Sequence, residues 1–331
     1  MRLIFLSFLL IFFSCSSEKN NKVLVTNTGE TQGTFYHIKY LIKDAVNLQP
    51  RIENILSSVD SSLSTYVPYS LISKINYRQD NIVDSLFETV FNCAQLVHKQ
   101  TEGAFDCSIA PLVNAWGFGF EKKQNLDSLK IKKILKNIGF DKIYIKNDSL
   151  NIPKNMMIDF NALAQGFTVD LIAKFLDDNS ITDYLIEIGG ELKSKGSNAS
   201  DKIWRVGVDK PIDEIDLQDR FQFIMKLENK SIATSGNYRK YFEENGKKYS
   251  HTISPFNGYP VMNNFLSVSV IHDDCMLADA YATAFMVMGK SKTLKFLDNF
   301  PEIEAYIVYT DKNGKFKTYI SEKMVSRIIN Y

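Results

Sequence analysis

The sequence predicts an α+β fold built on a mixed, mainly antiparallel sheet with helices packed against it. Segments typical of strands and segments of helical period follow one another without the regular strand–helix–strand rhythm of a parallel sheet. No internal repeat occurs, and no linker divides the chain after its first 28 residues. We therefore expect one large domain over residues 29–331.

The elements are predicted from the spacing of apolar residues. Helical spacing indicates helices over 49–63, 82–101, 125–139, 162–176, 275–288 and 290–299. Short runs rich in β-branched and aromatic residues indicate strands, beginning with 22–40 and followed by DKIYIKNDSLNIP as a hairpin, MMIDF, YLIEIGG, WRVGVDKP, FQFIMKL, FLSVSVIH and AYIVYT.

The composition is that of an ordinary globular protein, with 45% hydrophobic and 23% charged residues. The 39 Lys and Arg residues balance the 38 Asp and Glu residues. Because the net charge is close to zero, we expect no general electrostatic attraction to nucleic acid or to anionic lipid.

The first 15 residues are predicted to be a bacterial lipoprotein signal peptide. Arg2 precedes an apolar run from Leu3 to Phe13, which is too short to span a bilayer as a helix, and Cys15 follows. We expect export and lipidation of Cys15. A polar tether over 16–28 would then leave the protein anchored to a bacterial membrane, facing the periplasm. A plain signal peptide with an incidental Cys is the alternative.

Three cysteines remain beyond the signal, namely Cys93, Cys107 and Cys275. Their odd number and wide spacing provide neither a disulfide framework nor the ligand spacing of a zinc site. Each is predicted to be a small buried apolar residue.

Two segments place glycines where a phosphate could approach the backbone. In DFNALAQGF, a predicted strand ending at Asp159 leads into a turn, and Gly166 lies in the first turn of the next helix. Helix N-termini offer free N–H groups to phosphate, although Asp159 could equally be only a helix-start residue. Gly189 and Gly190 follow another predicted strand, but a Gly pair is usually only a turn.

A histidine lies in a polar setting in the second half of the chain. His251 stands among Ser, Thr, Asn and Gly residues instead of on an apolar face, so catalytic and structural roles stay equally open. Ser235, Gly236 and Asn237, a little earlier, are predicted to form a polar turn.

The strongest pair of candidate metal ligands is Asp279 and Thr283. Positions four apart on a helix share a face, and a carboxylate and a hydroxyl are the hard oxygen ligands that magnesium prefers. The alternative is that Asp279 caps the helix and Thr283 bonds to a backbone carbonyl. Burying an unpaired Asp among so many apolar residues would be costly, which favours a bound cation.

In their order along the chain, these segments resemble the ApbE family of flavin transferases from about Gly29 to Gly289. The matching segments are QGTFYHI, SSLSTYVPYSLISKIN, GAFDCSIAPLVNAWGFG, IDFNALAQGFTVDLIAKFL, YLIEIGGELKSKG, WRVGVDKP, SIATSGNYRKYF, YSHTISPFNGYPV and SVSVIHDDCMLADAYATAFMVMG. The ordered set is far more specific than any one motif.

The resemblance implies an ApbE-like fold with an FAD cleft between two lobes, and it implies roles for particular residues. FAD would be contacted by Gln32, Tyr66, Ala104, Phe105, Asp106, Asp159, Gln165 and Ile253. Mg²⁺ would be held by the Ala162 carbonyl, Asp279 and Thr283. Where the family usually has Lys, this chain has Gln165, which can donate a hydrogen bond but carries no charge.

The activity implied by the resemblance is magnesium-dependent transfer of FMN from FAD to a Thr hydroxyl of a partner protein, with release of AMP. His251 is the candidate base for the hydroxyl proton, and a nearby carboxylate is the competing choice. The acceptor would be a flavoprotein subunit with a Thr in a D-x-x-[ST]-[GS]-A-[TS] type segment, of which this chain has no clear copy. The alternatives are an FAD pyrophosphatase that yields FMN and AMP, and a non-catalytic FAD-binding lipoprotein.

Overall fold

The computed structural model describes residues 22–119, 121–211, 220–237, 241–244 and 247–330. The predicted signal peptide, Cys15 and the tether up to residue 21 lie outside these ranges, so those expectations stay predictions. The first strand begins at Val23, inside the range predicted as tether, because its nine residues pair along the whole length of the second strand.

Each helix predicted from apolar spacing is present in the described residues, and three short helices were not predicted. The helices are α1 Gln49–Leu63, α2 Leu71–Asn76, α3 Ser85–Gln100, α4 Ala110–Trp116, α5 Ser128–Leu135, α6 Ala164–Asp178, α7 Cys275–Asn299 and α8 Glu322–Val325, with 3-10 turns at Lys43–Ala45, Cys107–Ile109 and Phe140–Lys142. The three that were not predicted are α2, α4 and α8. The two helices predicted over 275–299 form one run that is interrupted at Gly289, whose φ of 68° is not helical.

The strands are short and largely where the sequence predicts them. They are β1 Val23–Thr31, β2 Thr34–Ile42, β3 Tyr144–Lys146, β4 Ser149–Asn151, β5 Tyr184–Ile188, β6 Glu191–Lys195, β7 Arg205–Asp209, β8 Phe221–Lys226, β9 Ser231–Gly236, β10 Tyr241–Glu244, β11 Lys247–Ser250, β12 Phe265–His272, β13 Glu304–Thr310, β14 Phe316–Ile320 and β15 Ile328–Asn330.

An eight-stranded sheet of order β1-β2-β5-β6-β9-β12-β13-β14 organises the molecule. Each of its neighbouring strand pairs is antiparallel, which confirms the predicted mainly antiparallel α+β fold. A three-stranded sheet of order β15-β8-β7 and the hairpins β3-β4 and β10-β11 complete the strand pairing of the described residues.

The large sheet has helices on one face and the small sheet on the other. Because side chains alternate along a strand, Ile307 of β13 packs into the core beneath α3 and α7, whereas its neighbour Tyr306 packs against Phe223 and Met225 of the small sheet. Helices α1 and α6 pack on β2 and β5 on this same side of the large sheet. This arrangement leaves the opposite face of β2 and β5 available to line a cavity.

Two predicted elements differ from the structure. MMIDF, residues 156–160, is not a strand: its backbone is held by single hydrogen bonds, including one from the Asp159 N–H to the Cys107 carbonyl at 2.8 Å. Ser235 and Gly236 are not in a turn but end strand β9, because β9 pairs with β12 on one side and with β6 on the other. Long-range strand pairing thus outweighs local polarity at the end of β9, whereas MMIDF pairs with no strand of the described residues.

The predictions for the cysteines are confirmed for Cys107 and Cys275, which are buried and free, while Cys93 is half-buried and also free. Burial raises the pKa of the Cys107 and Cys275 thiols well above the usual range, as expected of inert apolar residues. Within the described ranges, no helix combines the length and the apolar character that a membrane span requires.

Candidate active site

A cavity of about 870 Å³ lies between the large sheet with its helices and the small sheet. Its wall includes nearly all of the predicted site residues, namely Tyr66, Ala104, Phe105, Asp106, Asp159, Ala162, Gln165, His251, Ile253, Asp279 and Thr283. Residues that are far apart in sequence are therefore brought together at one place, as the resemblance implied.

Gln32 is the predicted contact that does not line the cavity. It forms, with Gly33, the two-residue turn between β1 and β2, where both residues have positive φ. Its Nε2 donates to the Thr168 hydroxyl at 2.8 Å, and its Oε1 is buried without a hydrogen bond from any described residue. Its role toward FAD stays a prediction.

The candidate metal ligands meet where α6 and α7 cross closely. A Cβ atom on Gly166 would lie 2.5 Å from the Cys275 carbonyl oxygen, so only glycine allows the two helices this approach. The Gly166 N–H donates to Asp279 Oδ2 at 3.2 Å. One turn farther along α7, the Thr283 hydroxyl lies 3.0 Å from the Ser235 hydroxyl.

This crossing leaves the Ala162 carbonyl oxygen without a hydrogen-bond donor among the described residues. In a regular helix the N–H of Gly166 would donate to the carbonyl four residues earlier, which is that of Ala162. Because Gly166 donates to Asp279 instead, the Ala162 oxygen receives no hydrogen bond from a described residue. A backbone carbonyl that borders a cavity and lacks its donor is suited to coordinate a cation.

The Asp279 carboxyl is strongly perturbed. Burial raises its pKa well above the usual range, the neighbouring Glu191 carboxyl raises it further, and the Gly166 N–H partly opposes both effects. Oδ1 of Asp279 makes no hydrogen bond with another described residue. A bound cation would stabilise the ionised carboxylate in this buried position.

The donor set fits Mg²⁺. It combines one carboxylate, one hydroxyl and one carbonyl, all hard oxygens of the kind that Mg²⁺ binds while it also keeps water or phosphate ligands. Among the described residues, no group of three His, Cys, Asp or Glu side chains offers a thiolate- or imidazole-rich alternative.

The AFD segment is a rigid turn at the cavity wall. Asp106 accepts hydrogen bonds from the Ser108 N–H and hydroxyl at 2.8 and 2.5 Å and from the Phe140 N–H at 3.2 Å. The His98 Nδ1–H donates to the Phe105 carbonyl at 2.7 Å. Burial raises the pKa of Asp106 despite these hydrogen bonds. Phe105 and Asp106, which were predicted to contact FAD, thus also stabilise the local structure, and the Phe105 ring is buried in the core.

Asp159 is the second perturbed carboxyl of the wall. Desolvation raises its pKa to about 6, against hydrogen bonds from the Asn161 backbone N–H at 2.7 Å and side-chain amide at 3.2 Å. The exposed Tyr66 lines the same region, and burial of its hydroxyl together with the Asp159 charge raises the Tyr66 pKa.

The side chain of Gln165 packs so closely on the glycine pair that Gly189 has no room for a Cβ atom. A Cβ atom on Gly189 would lie 2.9 Å from Gln165 Nε2, so the amide packs directly on the glycine backbone. Gly189 and Gly190 also have φ values of 66° and 112°, which other residues rarely adopt.

His251 lies half-buried in the wall, with its ring edge-on to Phe118 at a centroid distance of 6.3 Å. Ile253, two residues on, is buried and forms an isolated bridge with Pro260. The loop thereby fixes the backbone on the C-terminal side of the histidine.

Sequence reasoning missed three residues of this site. Glu191 directly follows the glycine pair and faces the cavity beside Asp279, and its position after two glycines was the available signal. Ser235, bonded to Thr283, was assigned to a turn. His98 was counted only as part of a helix, and no local pattern distinguishes it.

The model of the ApbE family matches residues 32–307 of this chain. An FAD:protein FMN transferase of Vibrio cholerae is 34% identical over 96% of this chain and 96% of its own length. The FAD:protein FMN transferase of Escherichia coli K12 is 30% identical, over 91% and 88% respectively.

Solved structures agree with these sequence matches. The flavin transferase ApbE from Vibrio cholerae superposes with a TM-score of 0.82 at 32% identity, covering 92% of this chain and 99% of that one. The apo form of the Pseudomonas stutzeri flavinyl transferase ApbE superposes with a TM-score of 0.83 at 30% identity, covering 92% and 97%. On the combined evidence of fold, site and sequence, this chain belongs to the ApbE family.

Proposed function

We propose that this protein is an FAD:protein FMN transferase that moves FMN from FAD to a Thr hydroxyl of an acceptor protein and releases AMP. The observation that carries the proposal is the unpaired Ala162 carbonyl beside the buried Asp279 carboxylate, in the wall of a cavity of about 870 Å³. The relatives from Vibrio cholerae and Escherichia coli bear the name of this activity.

The chemistry needs a cation at this cluster, and the cluster supports Mg²⁺. When bound, Mg²⁺ would neutralise pyrophosphate charge and stabilise the negative charge that develops on the departing AMP oxygen. The Ala162 carbonyl, Asp279 Oδ1 and the Thr283 hydroxyl would hold it. The Gly166 N–H keeps Asp279 oriented through Oδ2, and Ser235 orients the Thr283 hydroxyl.

The acceptor step is a displacement at phosphorus. The Thr oxygen forms a bond to the FMN phosphorus, the bond from that phosphorus to the AMP oxygen breaks, and AMP leaves with the electron pair. We propose that His251 takes the hydroxyl proton, because imidazole titrates near neutral pH and lines the cavity here. Asp159, with a pKa of about 6, is the competing base.

Of the remaining wall residues, those of the AFD turn and Gln165 would hold FAD. The AFD turn offers a rigid surface because Asp106 and His98 fix its backbone. Gln165 offers an amide hydrogen bond without a charge, so the phosphates rely more heavily on the cation than they would beside a lysine.

We also propose that the protein acts at a bacterial membrane, facing the periplasm and anchored through lipidated Cys15. The support is the sequence pattern of residues 1–15. Its acceptor would then be a membrane redox subunit or a related flavoprotein that presents the Thr at that surface.

The test uses the purified full chain in detergent with FAD, Mg²⁺ and an acceptor domain carrying the D-x-x-[ST]-[GS]-A-[TS] segment. We expect the acceptor to gain the mass of FMN only with Mg²⁺, and the Asp279→Ala variant to transfer none. Asp298→Ala, an exposed carboxylate farther along α7, is the matched control and keeps full activity.

Two other outcomes would replace the proposal. Free FMN and AMP with an unmodified acceptor would identify an FAD pyrophosphatase. Bound but intact FAD would identify a binding protein without chemistry.

A further inference from the structure

One side of the cavity extends beyond the cluster around Asp279 into an outer groove, which we define by Phe35, His37, Lys39, Glu187, Arg205 and Phe221. We propose that this outer groove binds an acidic segment of the acceptor polypeptide, on the sequence flank of the hydroxyl that receives FMN. The inference rests on the proposed function and names the chemistry of its protein partner.

One wall of the outer groove is the exposed face of β2. Tyr36, Ile38 and Tyr40 point into the core beneath the helices. The alternate residues Phe35, His37 and Lys39 therefore point the other way, into the groove. The opposite wall is β7 and β8 of the small sheet, which contribute Arg205 and Phe221.

The groove carries an excess of positive charge. Arg220 binds Asp209 at 2.6 Å, so these two charges are largely compensated, and the Glu187 carboxylate lies 3.8 Å from the His37 ring. Lys39 and Arg205 are exposed, and neither side chain makes an ion pair or hydrogen bond with another described residue. These two cations outnumber the Glu187 carboxylate, and the resulting positive excess in a concave surface attracts carboxylates and disfavours basic segments.

The distance from the inner cavity to Lys39 predicts where along the acceptor polypeptide those carboxylates lie. The Gly189 N–H donates to the Phe35 carbonyl at 3.1 Å, and Gly189 contacts Gln165 in the inner cavity. Lys39 lies four residues farther along β2, which is about 13 Å at strand spacing. An extended polypeptide covers that distance in about four residues. Carboxylates roughly three to five residues from the acceptor hydroxyl would thus reach Lys39.

Two exposed aromatic rings complete the binding surface. Phe35 is 61% exposed and Phe221 is 41% exposed, one on each wall. The Phe221 ring lies over Gly207, where a Cβ atom would approach its Cδ1 to 2.4 Å, so the glycine makes room for the ring. Such rings provide apolar contact for a polypeptide held between the charged residues.

The experiment compares two reactions of the full chain in detergent. Without acceptor, water can attack the FMN phosphorus in place of the Thr hydroxyl, and the slow magnesium-dependent release of FMN and AMP that we expect reports on FAD binding and on the reactive cluster. With an acceptor domain, FMN transfer reports on docking as well. For the double variant Lys39→Glu/Arg205→Glu we expect unchanged FAD hydrolysis and about a ten-fold fall in kcat/KM for the acceptor.

The acceptor supplies the reciprocal test. The unaltered protein should prefer an acceptor domain that has Glu residues four positions from its Thr. The double variant should prefer an acceptor domain that has Lys residues at the same positions. The preference should weaken at high salt, because exposed charges are screened. The double variant Lys312→Glu/Lys315→Glu makes the same charge change at two exposed lysines outside the cavity wall and should alter neither reaction.

Three results would overturn the proposal. Equal transfer by the double variant would show that the groove does not bind the acceptor, while the proposed function stands. A raised KM for FAD in the hydrolysis reaction would assign the cations to FAD. No transfer by the unaltered protein to any acceptor, with hydrolysis intact, would refute the proposed function together with the groove.

Discussion

Replacing Gly166 by Ala should damage the metal site through packing alone. The added Cβ would lie 2.5 Å from the Cys275 carbonyl oxygen and 2.9 Å from the Met276 Cα, whereas ordinary contact begins at 3.4 Å. Helices α6 and α7 would have to separate by roughly 1 Å to relieve this overlap. Overpacking of this kind costs about 2 kcal/mol of unfolding free energy, which for a domain of this size lowers the melting temperature by about 3 °C.

The same displacement should weaken Mg²⁺ binding. Ala162 precedes α6 and Asp279 belongs to α7, so separation of the helices moves the two ligands apart. Mg²⁺ tolerates deviations of only about 0.2 Å in its ligand distances. We therefore expect the apparent affinity for Mg²⁺, measured in the presence of FAD by the stabilisation of the protein, to fall at least about ten-fold.

Thermal unfolding with and without Mg²⁺ and FAD measures both effects. Gly314→Ala is the control, since its Cβ meets nothing within 4 Å and only its positive φ is strained. An unaltered melting temperature and an unaltered Mg²⁺ dependence in Gly166→Ala would refute the argument that this crossing builds the site.

Three further predictions follow from the carboxyls and the amide of the cavity. Asp279→Asn should abolish Mg²⁺-dependent transfer without lowering the stability of the metal-free protein. Burial and Glu191 disfavour the charge of the carboxylate, and an amide oxygen still accepts the hydrogen bond from the Gly166 N–H. A melting temperature below that of the unaltered protein in the absence of Mg²⁺ would contradict this. The pKa of Asp159 is about 6 when folded and 3.8 in the reference state, so the folded protein binds the proton more tightly and loses stability as pH rises from about 4 to about 6. Asp159→Asn should remove that pH dependence and raise the free energy of unfolding above pH 6 by up to about 3 kcal/mol, less about 1 kcal/mol for the altered contact with Asn161. Urea unfolding at pH 4.5 and pH 7.5 measures the difference. Gln165→Lys should lower the KM for FAD several-fold by adding a charge near the phosphates, and an unchanged or higher KM in steady-state hydrolysis would place the phosphates elsewhere.

Patterns of period two and period 3.6 are local, and they predicted the elements well. The alternation of Tyr36, Ile38 and Tyr40 marks the buried face of β2, and the spacing of Asp279 and Thr283 places both on one face of α7. The ordered motifs then identified the residues that line the cavity, because each motif is tied to an element that this fold brings to one place.

What the sequence could not predict depends on contacts between distant segments. The Ala162 carbonyl receives no hydrogen bond from a described residue because Asp279, more than a hundred residues later, accepts the Gly166 N–H. Likewise, the polar residues Ser235 and Gly236 were predicted to lie in a turn, yet they end a strand of the large sheet that pairs on both of its edges. No local pattern contains either fact.

The most direct test of the proposed function is the ratio of AMP released to FMN bound. The full chain would be incubated with FAD, Mg²⁺ and an acceptor domain, and intact-protein mass spectrometry and AMP quantification would be performed on the same sample. We predict one AMP for each acceptor that gains FMN, and neither product after removal of Mg²⁺ or in Asp279→Asn. AMP released without a mass change on the acceptor, or transfer that persists without Mg²⁺, would contradict the proposed function.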